Sequence, residues 1–551
     1  MFIIGPMGVD GDSSEPGLLR WSAWAAMGIV AVLLLLALGR LVDTAATWLN
    51  YPYPRSGTEG LTLYESLIVK RGGDIYDPIT TDRFISAPYP PVYYLLAASL
   101  LPENPPNFSN PGNITSLFEP GRLISLLAAI FTSAIISLLV VFDTPANQRG
   151  RWNVVGVVAG GLVGGGLWLT LPPVLVWALV FRSDMLMIFS TAAGLLCIAA
   201  GARTTGRLRE SEGIARSSAS ASQTLLLTLG ALFFALAFFT KQTGFAGPLA
   251  AGAYLLLRDW TLGAKWCALM SSFVVVPFLV LDLATGHWFY LKLVDYHSLP
   301  LRFSILTRLL HTSFWDDQWP LIIVATAYTL YLLVFWIQAR GKRDTRLRLV
   351  PIFVLASFVG LPTGAVVGAD HNHLLIPGLA ICAAVGASLA RLLSNISRDG
   401  SRNVKGLWPL PTAVTLVCVY LTFTAPPSSA YNVNLEVPTA GYKEQMRLII
   451  ANMSQHPAQL FFSDSAGIIA LAGKETPYDD PFTMNILSQQ GRWDETGLRN
   501  MLREGKFGLL VLACDVIDTP RTCQFTPGVI DAIRDGYKVV FKDILFTYAP
   551  K

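Results

Sequence analysis

Long apolar runs separated by short polar connections make up most of this chain. A helix needs about 20 apolar residues to cross a bilayer. Runs of that order lie at 22–44, 119–142, 153–175, 184–201, 223–240, 244–257, 262–283, 320–338, 349–368, 374–394 and 408–425. They predict a polytopic α-helical membrane protein with about 11 transmembrane helices. The 244–257 run is short, so it is expected to be extended or tilted at its ends. Tyr93–Pro102 is apolar but too short to span, and Pro90-Pro91 precedes it. It reads as a helix lying in the membrane interface.

The connections 143–152, 202–222, 339–348 and 395–407 hold Arg149, Arg203, Arg209, Arg343 and Arg402 among other basic residues. They alternate as one cytoplasmic side requires. Counting 93–102 as a span would put these arginines outside. The expected order is a cytoplasmic N-terminus (1–21), a membrane domain (22–425) and an extracytoplasmic domain (426–551) in a plasma (inner) membrane protein. Residues 48–118 and 284–319 become large external loops. The second carries Trp288, Phe289, Tyr290, Tyr296, Phe314, Trp315 and Trp319, either as headgroup anchors or as a groove lining. Beyond about Ala430 the composition turns soluble. QLFFSDS and FGLLVLACD read as buried strands, YKVVFKDILFTYAP as a hairpin, and KEQMRLIIANMSQ, DETGLRNMLREG and PGVIDAIRDG as helices, giving an α/β domain.

Composition agrees with the pattern: 52% of the 551 residues are hydrophobic and only 14% charged, where a soluble chain carries roughly a quarter. The net charge of +4 follows the loops and forms no basic, aromatic-studded face, so nucleic acid is not an expected partner. No small-residue cleavage site follows the first run, which reads as a retained helix. Cys197, Cys267, Cys382 and Cys418 fall in apolar runs, whereas Cys514 and Cys523 fall in the soluble region, where a disulfide is expected.

By this topology all six histidines lie outside, as do Glu59, Arg182, Asp184, Lys241, Asp316, Asp317, Asp370, His371 and His373. Charged groups at membrane depth are costly unless solvated or paired, so their collection at one face points to a polar cavity there. Arg182 has three roles open to it, an anion contact, an ion pair with Asp184 or snorkelling to the interface, and Lys241 at the end of an apolar run could also snorkel. Asp370-His371-Asn372-His373 fits substrate hydrogen bonding, boundary polarity or a metal; i,i+2 spacing in a turn directs the two imidazoles apart.

The segment after the first run reads GTEGLTLYESLIVKRGGDIYDP, followed by SAPYPPVYYLL, FRSDMLMIF and FFTKQTGFAGPL. Their order resembles the GT-C glycosyltransferase superfamily, in particular the protein O-mannosyltransferases, the lipid A aminoarabinose transferase and family 39-like bacterial enzymes. There an acidic residue after the first span is followed by a juxtamembrane helix, a GG-x-x-Y turn and a PP before an interfacial helix. Here those positions are Glu59, Leu61–Lys70, Gly72-Gly73-Asp74-Ile75-Tyr76 and Pro90-Pro91. Where many relatives carry Asp-Glu, this chain has Thr58-Glu59.

The resemblance implies an inverting glycosyltransferase that moves a monosaccharide from a polyprenyl-phosphate donor to a glycan, lipid or protein acceptor, with membrane lipids as its other partners. Glu59 would be the general base, with Glu65 and Asp184 the other acids open to that role. Lys241 and Arg182, with Arg55 and Arg122 behind them, would hold the donor phosphate. Asp184, Tyr89, Asp316, Asp317, Asp370, His371 and His373 would contact substrate. The chemistry requires no cofactor; a divalent cation on Asp370, His371 and His373 is the metal alternative. A transporter or flippase of lipid-linked sugars, or an oligosaccharide ligase or polymerase, are the other functions open to the sequence.

Overall fold

The computed structural model describes residues 15–103, 117–144, 151–208, 214–338, 347–398, 415–420, 438–542 and 544–551. Residues 1–14, most of the 103–114 stretch, most of the 408–425 run and basic residues such as Arg149, Arg209, Arg343 and Arg402 lie outside the described residues.

The first run lies inside α1 (Glu15–Leu49). Among the described residues six helices are long and apolar enough to cross a membrane: α4 (Glu119–Asp143), α7 (Asp184–Leu208), α8 (Ile214–Thr240), α10 (Trp260–Ala284), α11 (Asp316–Gln338) and α13 (Leu375–Arg398). Several expected spans are shorter. The 349–368 run breaks after α12 (Leu349–Val359), where Gly360-Leu361-Pro362 turns the chain into a 3-10 segment, Leu361–Ala365. α9 is the 13-residue Ala246–Arg258, and the 153–175 run stops at Thr170 of α5 (Arg151–Thr170), with α6 (Pro172–Trp177) a separate short helix. Conversely, α7 and α8 run into the expected 202–222 loop.

Burial sorts the long helices. The α13 window is 94% buried, so this helix is the central post, while the α10 window is 11% buried and its Val276, Leu279, Val280 and Leu283 face outward, as lipid contact requires. Small residues bring α5 and α13 together: a Cβ on Gly160 would stand 2.4 Å from the Gly386 carbonyl oxygen. Glycine at that crossing lets the two backbones touch.

α3 (Pro91–Leu100) has ten residues, about 15 Å of helix, half a bilayer core. It packs Tyr93, Tyr94 and Ala97 inward and exposes Leu95, Leu96 and Leu100. That division suits a helix lying at the interface.

The C-terminal region folds as the sequence pattern indicates. Its sheet has the order β1-β2-β4-β3, with β1 (Phe462–Ser463) parallel to β2 (Leu510–Leu512) and β4 (Phe546–Pro550) antiparallel to β2 and β3 (Tyr537–Lys542). Cys514 and Cys523 are disulfide-bonded, with Cα atoms 5.3 Å apart. The domain is built onto the first loop. Phe84 N–H donates to Pro477 O at 2.7 Å, Trp493 Nε1 to Thr80 O at 2.9 Å, and Tyr64 OH to Thr476 O at 2.8 Å. α2 (Gly57–Lys70) meets the helix Ala466–Leu471 backbone to backbone, since a Cβ on Gly60 would lie 2.7 Å from Gly467 N.

Candidate active site

Two buried charge clusters sit side by side where α2, α4, α7 and the 86–90 segment meet. The first is closed. α2 starts at the N-cap Ser56, whose hydroxyl accepts from Glu59 N–H at 3.2 Å. That cap fixes the first turn and aims the Glu59 carboxylate inward at α4. Arg122 Nε donates to Oε1 at 2.8 Å and Nη2 to Oε2 at 2.9 Å, a two-pronged pair with both side chains 0% exposed. Phe181 N–H adds a bond to Oε1 at 2.8 Å and Arg55 N–H one to Oε2 at 2.7 Å. The remaining Arg122 donors reach the carbonyls of Trp48, Tyr51 and Tyr53. Burial alone would push the Glu59 carboxyl up; the Arg122 charge and hydrogen bonds, with those two amides, outweigh it and hold Glu59 below the ordinary carboxylate value.

This geometry bears on three of the expected roles. A base needs an accessible lone pair within reach of the proton, and the Glu59 oxygens are sealed and four times hydrogen-bonded. Arg122 is spent on the same pair and on carbonyls, so it offers no phosphate contact. Arg55 lies 4.0 Å over the Trp48 ring and donates to Leu179 O at 3.1 Å, joining the same scaffold.

The second cluster is buried too, with exposed Thr58 at its edge. Asp184, the first residue of α7, accepts from Lys241 Nζ at 2.5 Å and from Asn372 Nδ2 at 2.9 Å, and Arg182 Nε stands 3.4 Å from its other oxygen. Arg182 also donates to Thr58 Oγ1 at 2.9 Å and to the Tyr89 hydroxyl, and its guanidinium lies 4.9 Å over the Trp177 ring. Lys241 sits 5.2 Å over the Tyr89 ring. Two cations against one carboxylate leave one net positive charge, held by packed aromatics in a site almost closed to water. Thr58 is exposed beside it while its neighbour Glu59 is buried. Asp184 therefore acts through its cations; expected as a substrate contact, it is 1% exposed and faces the protein.

Lys241 also lines a small cavity with an accessible volume of about 20 Å³. Lys241, Thr243, Ser357, Thr363, Asn372 and His373 supply its polar wall, and Met187, Ala246 and Ile376 its apolar one. Asp370 N-caps the 3-10 turn His371–Leu374 and its Oδ1 stands 2.5 Å from His371 Nδ1, whereas His373 Nδ1 pairs with Thr363 Oγ1 at 2.9 Å. The two imidazoles thus have different partners, and no group of three His, Cys, Asp or Glu residues converges as metal ligands among the described residues. Asp316 is exposed and stands 3.5 Å from His311; Asp317 is buried in the first turn of α11.

The 86–90 segment that presents Tyr89 is clamped from behind. Ala87 has a left-handed φ of 41°, a conformation that a residue with a Cβ holds only when its surroundings fix it. Its N–H donates to Glu65 Oε1 at 2.6 Å, Ser86 N–H to Asp479 Oδ1 at 2.9 Å, Tyr76 OH to Tyr89 O at 2.7 Å and Gln242 Nε2 to Pro88 O at 3.0 Å. Burial raises Asp479 to about 8, with the Asp480 charge adding to it, and raises Glu65 well above the carboxylate range, with the Asp479 charge adding to it. Burial thus disfavours the charged form of both acids. Glu65, open to the role of base in the sequence, is a buried strut here.

No protein-family model matches this chain, and no curated protein sequence does. A solved structure does: the crystal structure of ArnT from Cupriavidus metallidurans bound to undecaprenyl phosphate aligns over 95% of this chain and 98% of that one, at 15% identity and a TM-score of 0.53. The fold is that of ArnT. The architecture expected from the first loop is thus present, with six helices among the described residues long and apolar enough to cross a membrane. Within the ArnT fold, Arg182, Asp184, Lys241 and Tyr89, scattered over 152 positions of sequence (241 less 89), come to one place. Sequence reasoning passed over Thr58, Trp177 and Asn372. The histidines flanking Asn372 drew the attention, although the amide between them makes the bond to Asp184.

Proposed function

We propose that the protein transfers a monosaccharide from a polyprenyl-phosphate donor to an extracytoplasmic acceptor hydroxyl, with inversion at the anomeric carbon. The observation that carries this reading is the Arg182–Asp184–Lys241 cluster: two fixed cations and one net positive charge, with Lys241 also lining a small cavity. A sugar linked to a phosphodiester brings one negative charge, and the departing lipid phosphate gains a second as the bond breaks. Preorganised cations in a water-poor site stabilise that developing charge most. Arg182 can grip phosphate oxygens through its fork, and Lys241 adds a point charge. Asp184, itself held by the Asn372 amide, holds the lysine in place, and Trp177 and Tyr89 hold the arginine. The Glu59–Arg122 pair is tied to this site through Thr58, next to Glu59, and through Phe181, next to Arg182. ArnT, which shares the fold, was solved with undecaprenyl phosphate bound, which supports a lipid phosphate as ligand here.

Binding of undecaprenyl phosphate to the purified protein tests the phosphate site. Charge-assisted hydrogen bonds contribute about 1.5–3 kcal/mol each, so Arg182→Ala or Lys241→Ala is expected to weaken affinity by roughly 10- to 100-fold. Unchanged affinity in both variants would move the phosphate elsewhere. A panel of labelled undecaprenyl-phosphate monosaccharides then reads transfer as release of free lipid phosphate, which a flippase would not produce.

A further inference from the structure

The transferase reading requires a proton acceptor, and the acids that the sequence offered are engaged elsewhere: Glu59 with Arg122, Glu65 with Ala87, Asp184 with Lys241. Thr58, the residue beside the second cluster, cannot take a proton near neutral pH. In the cavity wall, Lys241 is paired with Asp184, and threonine, serine and asparagine are not bases. His373 is the group in that wall with a basic lone pair to which a proton can pass.

Its tautomer follows from its neighbour. The Thr363 hydroxyl has one hydrogen, and Oγ1 lies 2.6 Å from the Gly360 carbonyl, which can only accept. That hydrogen is committed to Gly360. In the 2.9 Å contact between Thr363 Oγ1 and His373 Nδ1, the donor must then be Nδ1–H. A neutral imidazole protonated at Nδ1 carries its lone pair at Nε2, so Thr363 sets the ring as a base.

We propose that His373 Nε2 is the general base of the transfer, an assignment that rests on the transferase reading above. The acceptor oxygen attacks the anomeric carbon and its proton passes to Nε2. The C1–O bond to phosphate breaks with its electron pair going to the phosphate oxygen. A phosphodiester monoanion and a neutral imidazole become a phosphate dianion and an imidazolium, so net charge is unchanged. Beside Lys241 and Arg182 an imidazolium is disfavoured in the resting site. The second phosphate charge offsets that penalty as it forms, so proton transfer and bond cleavage support each other. Water then takes the proton from the imidazolium.

His373→Asn retains a side-chain N–H for Thr363 but removes the Nε2 acceptor. It is expected to lower release of undecaprenyl phosphate from the donor panel by at least 100-fold, with affinity for undecaprenyl phosphate within threefold of wild type. His373→Ala, assayed with free imidazole, should regain at least tenfold of its lost rate, which restoration of a purely structural contact would not give. Diethyl pyrocarbonate should modify His373 in the wild-type protein, and bound undecaprenyl phosphate should slow it. Turnover of His373→Asn within threefold of wild type overturns the assignment and leaves the transferase reading standing. If wild type releases lipid phosphate from no donor in the panel, the transferase reading fails and this proposal falls with it.

Discussion

Glu59 and Arg122 show how far a single residue's role depends on what the fold brings to it. In sequence Glu59 is an acid at the exit of the first span, where the family resemblance implies chemistry; its partner lies 63 residues away and nothing local announces it. The one local sign was Ser56-Gly57-Thr58-Glu59, the spacing of a helix cap followed by an acid at its third position, which points to a structural role. The prediction that follows concerns stability more than turnover. Removing one member of a buried pair strands the other charge and costs about 3–5 kcal/mol. Glu59→Gln is therefore expected to lower the thermal midpoint of the detergent-purified protein sharply. Glu59→Gln with Arg122→Met should recover only part of the loss, because the amides of Arg55 and Phe181 still lose their charged acceptor. A Glu59→Gln protein that melts with wild type yet has lost turnover would restore Glu59 to the chemistry.

Among the elements, those whose periodicity is complete within themselves were legible: α4, α7 and α10 as spans, and the strands and helices of the C-terminal domain. Breaks set by a few residues were not, such as the turn after Val359 that shortens α12 and the extension of α7 past the expected loop boundary. Seams between elements were invisible, since the pairing of Ser86 with Asp479 joins positions 393 apart. That seam has a pH signature. Asp479 titrates near 8 in the fold against about 3.8 when free, chiefly because burial disfavours its charge. An acid with a raised pKa keeps in the folded protein a proton that the unfolded chain has released. Its contribution to stability therefore falls as pH rises from about 4 to about 8, and stays low above that. Asp479→Asn keeps an oxygen for Ser86 N–H and cannot ionise. The variant's melting temperature, measured against wild type from pH 4 to 9, should rise relative to it through that window and then level off. A gap independent of pH would mean that Asp479 is already ionised in the fold.

For the whole molecule, the sequence argument for sidedness rests on loop arginines that mostly lie outside the described residues, but the fold adds two independent constraints. The C-terminal domain is bonded to the first loop at Thr80, Phe84 and Ser86, so the domain, the loop and the Arg182–Lys241 cluster share one side of the membrane. The domain also carries the Cys514–Cys523 disulfide, which belongs to an oxidising compartment. Arg203 marks the far end of α7, nineteen residues after Asp184 (203 less 184), where it donates to Val141 O and to Thr144 O. Over that length a helix rises about 28 Å, close to the thickness of the hydrocarbon core. A topology with Asp184 at the outer mouth would put Arg203 at the inner surface, on the side of the arginine-rich loops. The expected result of single-cysteine labelling with a membrane-impermeant maleimide is then specific. Ala440→Cys, at the start of the helix Ala440–Gln455, should react in intact cells, while Gly213→Cys should react only after permeabilisation. Labelling of position 213 in intact cells would invert the protein and place its phosphate site on the cytoplasmic leaflet. The disulfide gives an internal control: Cys514 and Cys523 should stay unlabelled until a reductant is added.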